Sequence, residues 1–209
     1  MKLLFRLLII LLVTSCSNNV TKGNITDCDS FPADPIAYIY LQPYDDFTQQ
    51  EATKLASKIT KGLSKVYGGD WTNVKVLANK DLPRKAYYKP RHRYLANELL
   101  KNLNINKEQS YIIGLTHKDI SYKIHGQTNY GIMGLTPLNS NKSIVSDYRT
   151  HDLVAVIVHE FGHGFYGAKH CTNPKCIMCD YQKHKGKPFI YKLCKEHSFM
   201  NQGYIAILV

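Results

Sequence analysis

The chain has 209 residues, of which 44% are hydrophobic and 21% are charged. These values predict one globular domain with a sizeable core, and the lack of repeats and low-complexity blocks excludes a repeat protein or a compositionally biased chain. The formal net charge of +11 is compatible with nucleic acid, acidic surfaces or anionic lipids as partners, and equally with an ordinary solvated surface.

The N-terminus has the pattern of a secretory signal. Residues 1–15 have a basic start and an apolar run that is shorter than the roughly 20 residues of a membrane span. The segment VTSC, which ends in Cys16, resembles the lipobox of bacterial lipoproteins, in which the cysteine is lipidated and becomes the first mature residue. An ordinary cleavable signal is the alternative. We expect a tether over 16–33 and a folded domain over 34–209.

This N-terminus also predicts a location. Acyl chains on Cys16 would anchor the protein firmly, so we expect an exported protein on the periplasmic side or the surface of a bacterial membrane. The membrane is then a partner, and nucleic acid is not expected despite the positive charge. Removal of Lys2 and Arg6 with the signal would leave a net charge of about +9.

Several apolar segments are predicted to be β-strands of the domain. They are rich in β-branched and aromatic residues and lie between turn-forming positions. The segment 111–116 is apolar almost throughout, which favours a central position in the sheet. The predicted strands are 36–41, 74–77, 111–116, 130–135 and 143–146.

Two helices are predicted ahead of the motif region. Thr48 and Glu51 form a capping box, and apolar residues at helical spacing follow as far as Val66. The glycine pair 68–69 ends this helix. A second helix is expected after Pro90. Its leucines are Leu95, Leu99 and Leu103.

The segment 153–158, with the sequence LVAVIV, favours a strand by propensity. The residues after it favour a helix, because His159 and His163 stand four apart and face one metal ion only on a helix. We therefore predict a helix that is capped by Thr150 and carries Asp152 in its first turn.

Residues 159–163 read HEFGH, an HExxH motif that is typical of zinc proteases. His159 and His163 each offer an imidazole nitrogen to Zn²⁺, which lowers the pKa of a bound water to about 7. Glu160 is predicted to take the proton as that water attacks a peptide carbonyl, and to pass it to the leaving amine. Because a catalytic zinc has three protein ligands and one open position, His170 is the candidate third ligand.

A second set of residues has the spacing of a structural zinc site. Three thiolates and one imidazole would close a tetrahedral shell and leave no open position. The members are Cys171, Cys176, Cys194 and His197. Disulfide bonds among these cysteines are the alternative, because exported proteins commonly contain them.

The order of these motifs resembles the archaemetzincin branch of the metzincin zinc proteases. HExxH is followed by a glycine, by His-Cys, by Cys-x-Met and by a late cysteine, and residues 111–120 are similar to the family's central strand and following turn. The resemblance implies an α+β fold, in which a twisted mixed sheet with a backing helix and an active-site helix lies over a small zinc-stabilised C-terminal subdomain. The upper part would span 34–166 and the lower part 167–209.

The same resemblance implies roles for individual residues. It implies two zinc ions per chain, one catalytic zinc on the three histidines with Met178 beneath it, and one structural zinc on the cysteine set. The family has four cysteines at the second zinc, whereas this sequence has His197 in fourth place, and Cys179 is a rival for that place. Residues 130–135 are expected to be an edge strand that pairs with an extended substrate, and Tyr181 is a further candidate for polarising the scissile carbonyl.

The position of His170 departs from the family's spacing. In the family the turn glycine follows the second histidine by three residues, whereas Gly167 follows His163 by four, and the Gly-x-x-His spacing after it is intact. A π-bulge in the last helical turn can absorb one extra residue, and Gly164 would ease it, so that Gly167 makes the left-handed turn. The alternative is a two-histidine site completed by His184, another residue or water.

The six cysteines can be assigned by elimination. Cys16 is assigned to lipid, and three cysteines are assigned to the second zinc. Cys28 and Cys179 remain, and in an oxidising compartment they are candidates for a disulfide.

Three functions follow from these patterns. The first is a lipid-anchored, monomeric zinc metallopeptidase that acts on a peptide or protein substrate. The second is a non-catalytic zinc-containing binding lipoprotein with a metzincin fold, and the third is a zinc-stabilised nucleic-acid binder, which the signal disfavours. Glu160 favours the first function because a structural site has no use for a free carboxylate beside the metal, whereas the displaced His170 favours the second.

Overall fold

The computed structural model describes residues 38–104, 109–124, 126–180 and 187–201. These residues form two β-sheets and three α-helices, which agrees with the predicted α+β class. In chain order the elements are β1 (Tyr38–Pro43), α1 (Gln49–Tyr67), β2 (Val74–Val76), β3 (Tyr87–Tyr88), β4 (Arg93–Leu95), α2 (Ala96–Asn102), β5 (Ser110–Thr116), β6 (Ile120–Ile124), β7 (Gln127–Ile132), β8 (Gly134–Leu135), β9 (Lys142–Ser146) and α3 (Leu153–Tyr166).

The larger sheet has the strand order β2-β1-β5-β9-β8. Its first four strands are parallel, and β8 runs antiparallel to β9 at the edge. Every residue of β5 is buried, as expected for a central parallel strand that is covered on both faces. The predicted central strand is therefore confirmed, and β1, β2 and β9 agree with their predicted segments within two residues.

Helices α1 and α3 pack together and share one core with the larger sheet. A Cβ atom on Gly62 of α1 would lie 3.0 Å from the side chains of Val154 and Val158 of α3, so this glycine lets the two helices approach closely. The predicted capping box is confirmed at the start of α1. The Thr48 hydroxyl accepts the Glu51 N–H at 3.1 Å, and the Glu51 carboxylate accepts the Thr48 N–H at 2.7 Å.

A smaller sheet, which was not predicted, has the strand order β3-β4-β6-β7. Residues 130–135, predicted as one edge strand, are divided between the two sheets. Residues 130–132 end β7 and pair with β6, whereas 134–135 form β8 and pair with β9. The chain changes sheets at Met133, whose carbonyl oxygen accepts the N–H of Ser146 at 2.8 Å. The prediction of a single strand is therefore wrong, although β7 and β8 each lie at the edge of a sheet.

The second helix follows Pro90 as predicted and carries Leu99, but Leu95 and Leu103 are its caps. It begins only at Ala96 because the intervening residues form a 3₁₀ turn and strand β4.

One predicted helix cap is wrong. Helix α3 is capped by Asp152 rather than Thr150. The Asp152 carboxylate accepts the N–H of Ala155 at 3.0 Å, while the Thr150 hydroxyl accepts the N–H of Asp152 at 3.0 Å.

The described residues beyond α3 are largely irregular, as predicted, with an isolated β-bridge between Cys171 and Cys179. They do not build a core of their own. Buried Ile177, Met178 and Met200 belong to the same apolar cluster as α1, α3 and the larger sheet. Within the described ranges, none of the helices combines the length and the apolar character that crossing a membrane requires.

Candidate active site and metal-binding clusters

The three predicted histidine ligands converge at the C-terminal end of α3. His159 and His163 project from α3, and His170 comes from the irregular segment after it. The three Nε2 atoms lie 3.0 Å from one another in all three pairs. We call these residues the histidine cluster. His163 is buried and His170 is exposed, so the cluster opens to solvent on one side.

Hydrogen bonds on the far side of two rings determine which nitrogen carries the proton. His159 Nδ1 lies 2.7 Å from the carbonyl oxygen of Ile177, and His163 Nδ1 lies 2.5 Å from that of Ala168. Because a carbonyl oxygen only accepts, each Nδ1 carries the proton and each Nε2 presents a lone pair. Burial lowers the pKa of His163 to about 4 and also lowers that of His170, which keeps these rings neutral.

This arrangement fits a zinc ion. Lone pairs that face one another at 3.0 Å repel unless a cation lies between them. Zinc binds imidazole nitrogens at about 2.0–2.1 Å in a tetrahedral shell, so its nitrogen ligands lie roughly 3.3 Å apart. The separation in the cluster is close to that value. Three neutral imidazoles with one open side match a catalytic zinc site rather than a closed one.

The extra residue of the motif is absorbed at the end of α3. Gly167 is the C-cap, with φ 63° and ψ 15°, in the left-handed region predicted for it. Its N–H donates to the carbonyl of Gly162, five residues back, and the N–H of Ala168 donates to the same carbonyl at 3.1 Å. The carbonyl of His163 has lost its usual partner four residues on and accepts the N–H of Asn139 at 3.2 Å. The last turn therefore has the hydrogen bond of a π-helix.

The absence of a Cβ atom at Gly164, on which the prediction rested, matters for packing in this turn. Its φ is not positive. A Cβ atom there would clash with the hydroxyl of Tyr111 and would lie 2.5 Å from the carbonyl oxygen of Ser140. Gly164 therefore allows α3 to pack closely against β5 and the loop before β9.

Glu160 is buried beside the histidine cluster and is only 7% exposed. A Cβ atom on Gly134 of β8 would lie 2.6 Å from the Glu160 Oε1 atom, so the carboxylate lies directly against the edge strand. Burial raises the pKa of Glu160 to about 8, and a hydrogen bond with the Thr136 hydroxyl acts in the opposite direction. A divalent cation on the neighbouring histidines would favour the ionised form.

Thr136 belongs to a chain of hydroxyl groups that the sequence reasoning missed. Thr136 Oγ1 lies 2.8 Å from Ser143 Oγ, which lies 2.5 Å from the hydroxyl oxygen of Tyr111. That hydroxyl also lies 3.4 Å from the backbone carbonyl oxygen of Glu160. No local signal in the sequence marks these residues, since β9 reads KSIVS and Ser143 is its second residue.

Four further groups converge beside the histidine cluster. The Sγ atoms of Cys176 and Cys194 lie 3.5 Å and 3.3 Å from His197 Nδ1. Cys194 Sγ lies 3.9 Å from Cys171 Sγ. His197 Nε2 lies 3.0 Å from the carbonyl oxygen of Lys169, so Nε2 carries the proton and Nδ1 faces the sulfur atoms as a lone pair. We call the three cysteines and His197 the cysteine cluster.

The cysteine cluster fits a closed zinc site. A separation of 3.9 Å excludes a disulfide between Cys171 and Cys194 and is close to the roughly 3.8 Å between thiolates that share a zinc. Three of the four members are buried. Burial raises the pKa of Cys171 and raises that of Cys176 to about 12, so a bound cation is needed to hold them as thiolates. Cys179, the predicted rival, does not converge with these groups, and its Sγ lies 3.6 Å from the carbonyl oxygen of Asp180.

Met178 lies fully buried beneath α3. A Cβ atom on Gly162 would lie 2.6 Å from Met178 Sδ and 2.7 Å from the hydroxyl oxygen of Tyr67. The glycine inside the HExxH motif is therefore required by the packing of this methionine. Sequence reasoning passed over Gly162, although a glycine in a helix interior is itself a signal of close approach.

Several predicted functional residues lie outside the described residues. The predictions that rest on them are the lipid anchor, the disulfide with Cys179, the alternative third ligand and the group that polarises the carbonyl. The residues are Cys16, Cys28, His184 and Tyr181.

No family model matches the sequence. A curated archaemetzincin from Haloquadratum walsbyi is 31% identical over 124 residues, which is 51% of this chain and 69% of that protein. A second archaemetzincin, from Methanopyrus kandleri, is 32% identical over 107 residues, which is 46% of this chain and 58% of that protein.

Solved structures of this family have the same fold. The archaemetzincin from Methanopyrus kandleri has a TM-score of 0.61 at 23% identity, covering 79% of this chain and 93% of its own. The archaemetzincin from Archaeoglobus fulgidus, complexed with malonate, has a TM-score of 0.58 at 27% identity, covering 78% and 99%. This fold, together with the candidate ligand groups and the curated relatives, defines a zinc metallopeptidase. More particularly, the chain belongs to the archaemetzincin family.

Proposed function

We propose that the protein hydrolyses peptide bonds with Glu160 as the general base, beside a zinc ion bound by the histidine cluster. The observation that carries this proposal is the convergence of three Nε2 atoms at 3.0 Å next to a buried carboxylate. Burying a carboxylate is costly, and a zinc site that only stabilises the fold gains nothing from it. The buried carboxylate of Glu160 therefore favours turnover over binding alone.

Each group at the site has a separate role in the proposed reaction. Zinc, when bound, supplies a Lewis acid that polarises the scissile carbonyl and lowers the pKa of water. Glu160 removes a proton from the attacking water and delivers it to the leaving amine. Because the carboxylate is buried against Gly134, bulk water has little access to the proton it holds. The carbonyls of Ile177 and Ala168 keep two ligand rings in the required orientation and tautomer.

We propose that the substrate binds in an extended form along β8. Gly134 lies against the Glu160 carboxylate, so a peptide that pairs with this edge passes beside the base. An open groove of about 560 Å³ lies between Leu135 of this strand and helix α2, whose Leu100 and Lys101 also line it. Its lining includes apolar Leu135 and Pro137 and the amine-bearing Lys142, which suit apolar or acidic substrate side chains.

A second zinc ion is proposed for the cysteine cluster, which gives two zinc ions per chain. Three sulfurs and one imidazole nitrogen complete a tetrahedral shell, so this zinc would be structural. Met178 is proposed as the methionine beneath the catalytic zinc, because it packs directly under the helix that carries two of the histidines.

We also propose that the mature protein is an exported monomer, anchored in a bacterial membrane through lipidated Cys16 and the tether 16–33. The support is the sequence pattern of residues 1–16 alone. The test is intact-mass analysis of the membrane fraction, with Cys16→Ala as the comparison. A wild-type protein without acyl chains contradicts the anchor. Peptide mapping without reductant tests the proposed disulfide between Cys28 and Cys179, and a free Cys28 contradicts it.

The catalytic proposal is tested with Glu160→Gln. We expect hydrolysis of a broad peptide library to fall by about 10²- to 10⁴-fold while the zinc content stays unchanged, because only the base is lost. Glu51→Gln is the matched control, since glutamine also serves in a capping box and the residue lies on α1. Wild-type rates in Glu160→Gln remove Glu160 from the mechanism, and an inactive, zinc-loaded wild-type protein indicates a binding function instead.

A further inference from the structure

The two faces of strand β8 meet different parts of the molecule. A Cβ atom on Gly134 would lie 2.6 Å from Glu160 Oε1, so this position faces α3 and the proposed base. Leu135, the next residue, packs against the apolar cluster that contains Leu99 and Leu100 of α2. Successive residues of a strand point to opposite faces of its sheet, so β8 has one face toward the active-site helix and the other toward α2.

The backbone of Gly134 is turned toward the open edge of the larger sheet. The carbonyl oxygen of Met133 accepts the N–H of Ser146 at 2.8 Å, and Gly134 is paired with Val145. In an antiparallel pair, residues that bond to the partner strand alternate with residues whose N–H and C=O groups point away from it. The N–H and C=O of Gly134 therefore point to the edge, where an extended substrate can pair with them.

A substrate paired with Gly134 presents its side chains alternately to the two faces. Its residue opposite Gly134 points toward Glu160, and the residues on either side point toward α2, where the groove of about 560 Å³ lies. We propose that this groove takes a glutamate side chain of the substrate, and that Lys142 is the specificity-determining residue. The role of the groove rests on the proposed binding of the substrate along β8.

Lys142 lies on the face of β9 that turns toward the groove. Ile144, two residues further on, belongs to the apolar cluster of α2, so alternation places Lys142 on the same face, and its side chain lines the groove. The second lysine of the groove, Lys101, donates to the Glu98 carboxylate at 2.7 Å. Among the residues that the structure describes, none forms a hydrogen bond or an ion pair with the Lys142 ammonium group.

The remaining lining decides which anion fits. Leu100, Leu135 and Pro137 give the groove apolar walls beside the Lys142 ammonium group. A glutamate side chain has two CH₂ groups that can contact these walls and a carboxylate that can pair with the ammonium group. A lysine or arginine at the same position of the substrate would place like charges together, which disfavours it.

The first test maps cleavage sites in a broad peptide library with the full chain. We expect glutamate to be enriched at one position, or at two positions that are two residues apart, while the residue between them is unaffected because it faces Glu160. Lys142→Met should abolish this enrichment, and Lys142→Glu should replace it with lysine and arginine. Lys75→Met, at the opposite edge of the larger sheet, is the matched control for the loss of one positive charge and should keep the enrichment.

The second test measures kcat/KM for three peptides that differ only by Glu, Gln or Lys at the enriched position. We expect the wild-type protein to prefer Glu over Gln about 3-fold and Glu over Lys about 10-fold, because the ion pair is partly exposed. In Lys142→Met the three values should lie within about 2-fold of one another, and in Lys142→Glu the order should be reversed. The Gln peptide should be cleaved by every variant within about 3-fold of wild type, since Lys142 is not a catalytic residue.

Three results overturn the inference: a wild-type protein without a preference for glutamate, a preference that survives both substitutions of Lys142, or an equal loss on all three peptides. Binding of the same peptides to zinc-loaded Glu160→Gln, followed by fluorescence anisotropy, gives a readout without turnover and should rank them in the same order. A wild-type protein that binds the peptides in this order without cleaving them refutes the proposed function alone. A protein that cleaves all three equally well refutes the specificity of the groove alone.

Discussion

The histidine cluster and the cysteine cluster are built by the same stretch of chain and differ in their access to solvent. From Ala168 to Cys171 successive residues serve the two clusters in turn. The carbonyl of Ala168 holds a ring of the histidine cluster and His170 belongs to it, whereas the carbonyl of Lys169 holds a ring of the cysteine cluster and Cys171 belongs to it. One short segment therefore sets the geometry of both.

The difference in exposure suggests how the two sites depend on each other. The histidine cluster has three nitrogen atoms, an exposed member and a carboxylate beside it, which leaves room for a substrate. The cysteine cluster has four groups, of which three are buried, and has no such room. We infer that the closed site holds the segment in place for the open one. Loss of the cysteine cluster should then disturb both sites, and loss of the histidine cluster only one.

The largest effect is expected for Cys176→Ser, because Cys176 is fully buried and contacts His197. We expect zinc to be lost from the cysteine cluster, the unfolding temperature to fall by about 10 °C or more, and activity to be lost as well. Elemental analysis and thermal unfolding measure these changes. A Cys176→Ser protein with wild-type stability and activity would contradict the dependence of the open site on the closed one.

His170→Ala should affect only the histidine cluster. We expect zinc to fall from two ions per chain to one and activity to fall by orders of magnitude, because a ligand is removed from a three-ligand site. The unfolding temperature should change little, since His170 is exposed. His184→Ala is the comparison and should be nearly silent. The reverse ranking in a zinc-binding titration would mean that His170 is not the third ligand.

Graded chelation separates the two sites without a mutation. The histidine cluster should lose zinc first, with loss of activity, because it is open and has no thiolate ligands. The cysteine cluster should lose zinc at higher chelator concentrations, and residues 167–201 should then become sensitive to protease. Loss of both ions in one step, or protease sensitivity before loss of activity, would contradict this order.

The smallest effect is expected for Gly162→Ala, which tests the packing beneath the open site. The added methyl group would meet Met178 Sδ at 2.6 Å, so we expect a loss of about 1–3 kcal/mol in the free energy of unfolding. Chemical denaturation measures it. In a Met178→Ala background the same substitution should cost less, because the clashing sulfur is gone. An equal cost in both backgrounds would show that Met178 is not what excludes a side chain there.

Much of the metal-binding site could be predicted because its ligand residues lie close together in the sequence. His159 and His163 lie on consecutive helical turns, and that requirement correctly outweighed the strand propensity of LVAVIV. The short strands β3 and β4 were missed, since segments of two or three residues carry no readable period, and β2, of similar length, could be predicted only from its two valines. The change of sheet at Met133 was missed because the residue at which the chain leaves one sheet for the other is neither glycine nor proline.

The hydroxyl chain could not be predicted at all. Tyr111, Thr136 and Ser143 come from β5, the residue after β8, and β9, and their contact depends on the register of three strands. Each residue is unremarkable in its own segment. Local patterns therefore predict ligands that one helix carries, whereas a group of side chains drawn from several strands becomes visible only in three dimensions.

A sequence motif with fixed spacing assumes that the helix keeps its α-helical hydrogen-bond pattern through the last turn. Here the N–H of Gly167 has moved its hydrogen bond by one carbonyl, and His170 Nε2 still lies 3.0 Å from the Nε2 atom of His163. The position of the third ligand is therefore set by the carbonyl group that accepts the last helical hydrogen bond, rather than by the number of residues between the second and third histidines. A motif search that requires the usual number of residues between the second and third histidines rejects this chain. A search that permits one insertion before an intact Gly-x-x-His retains it.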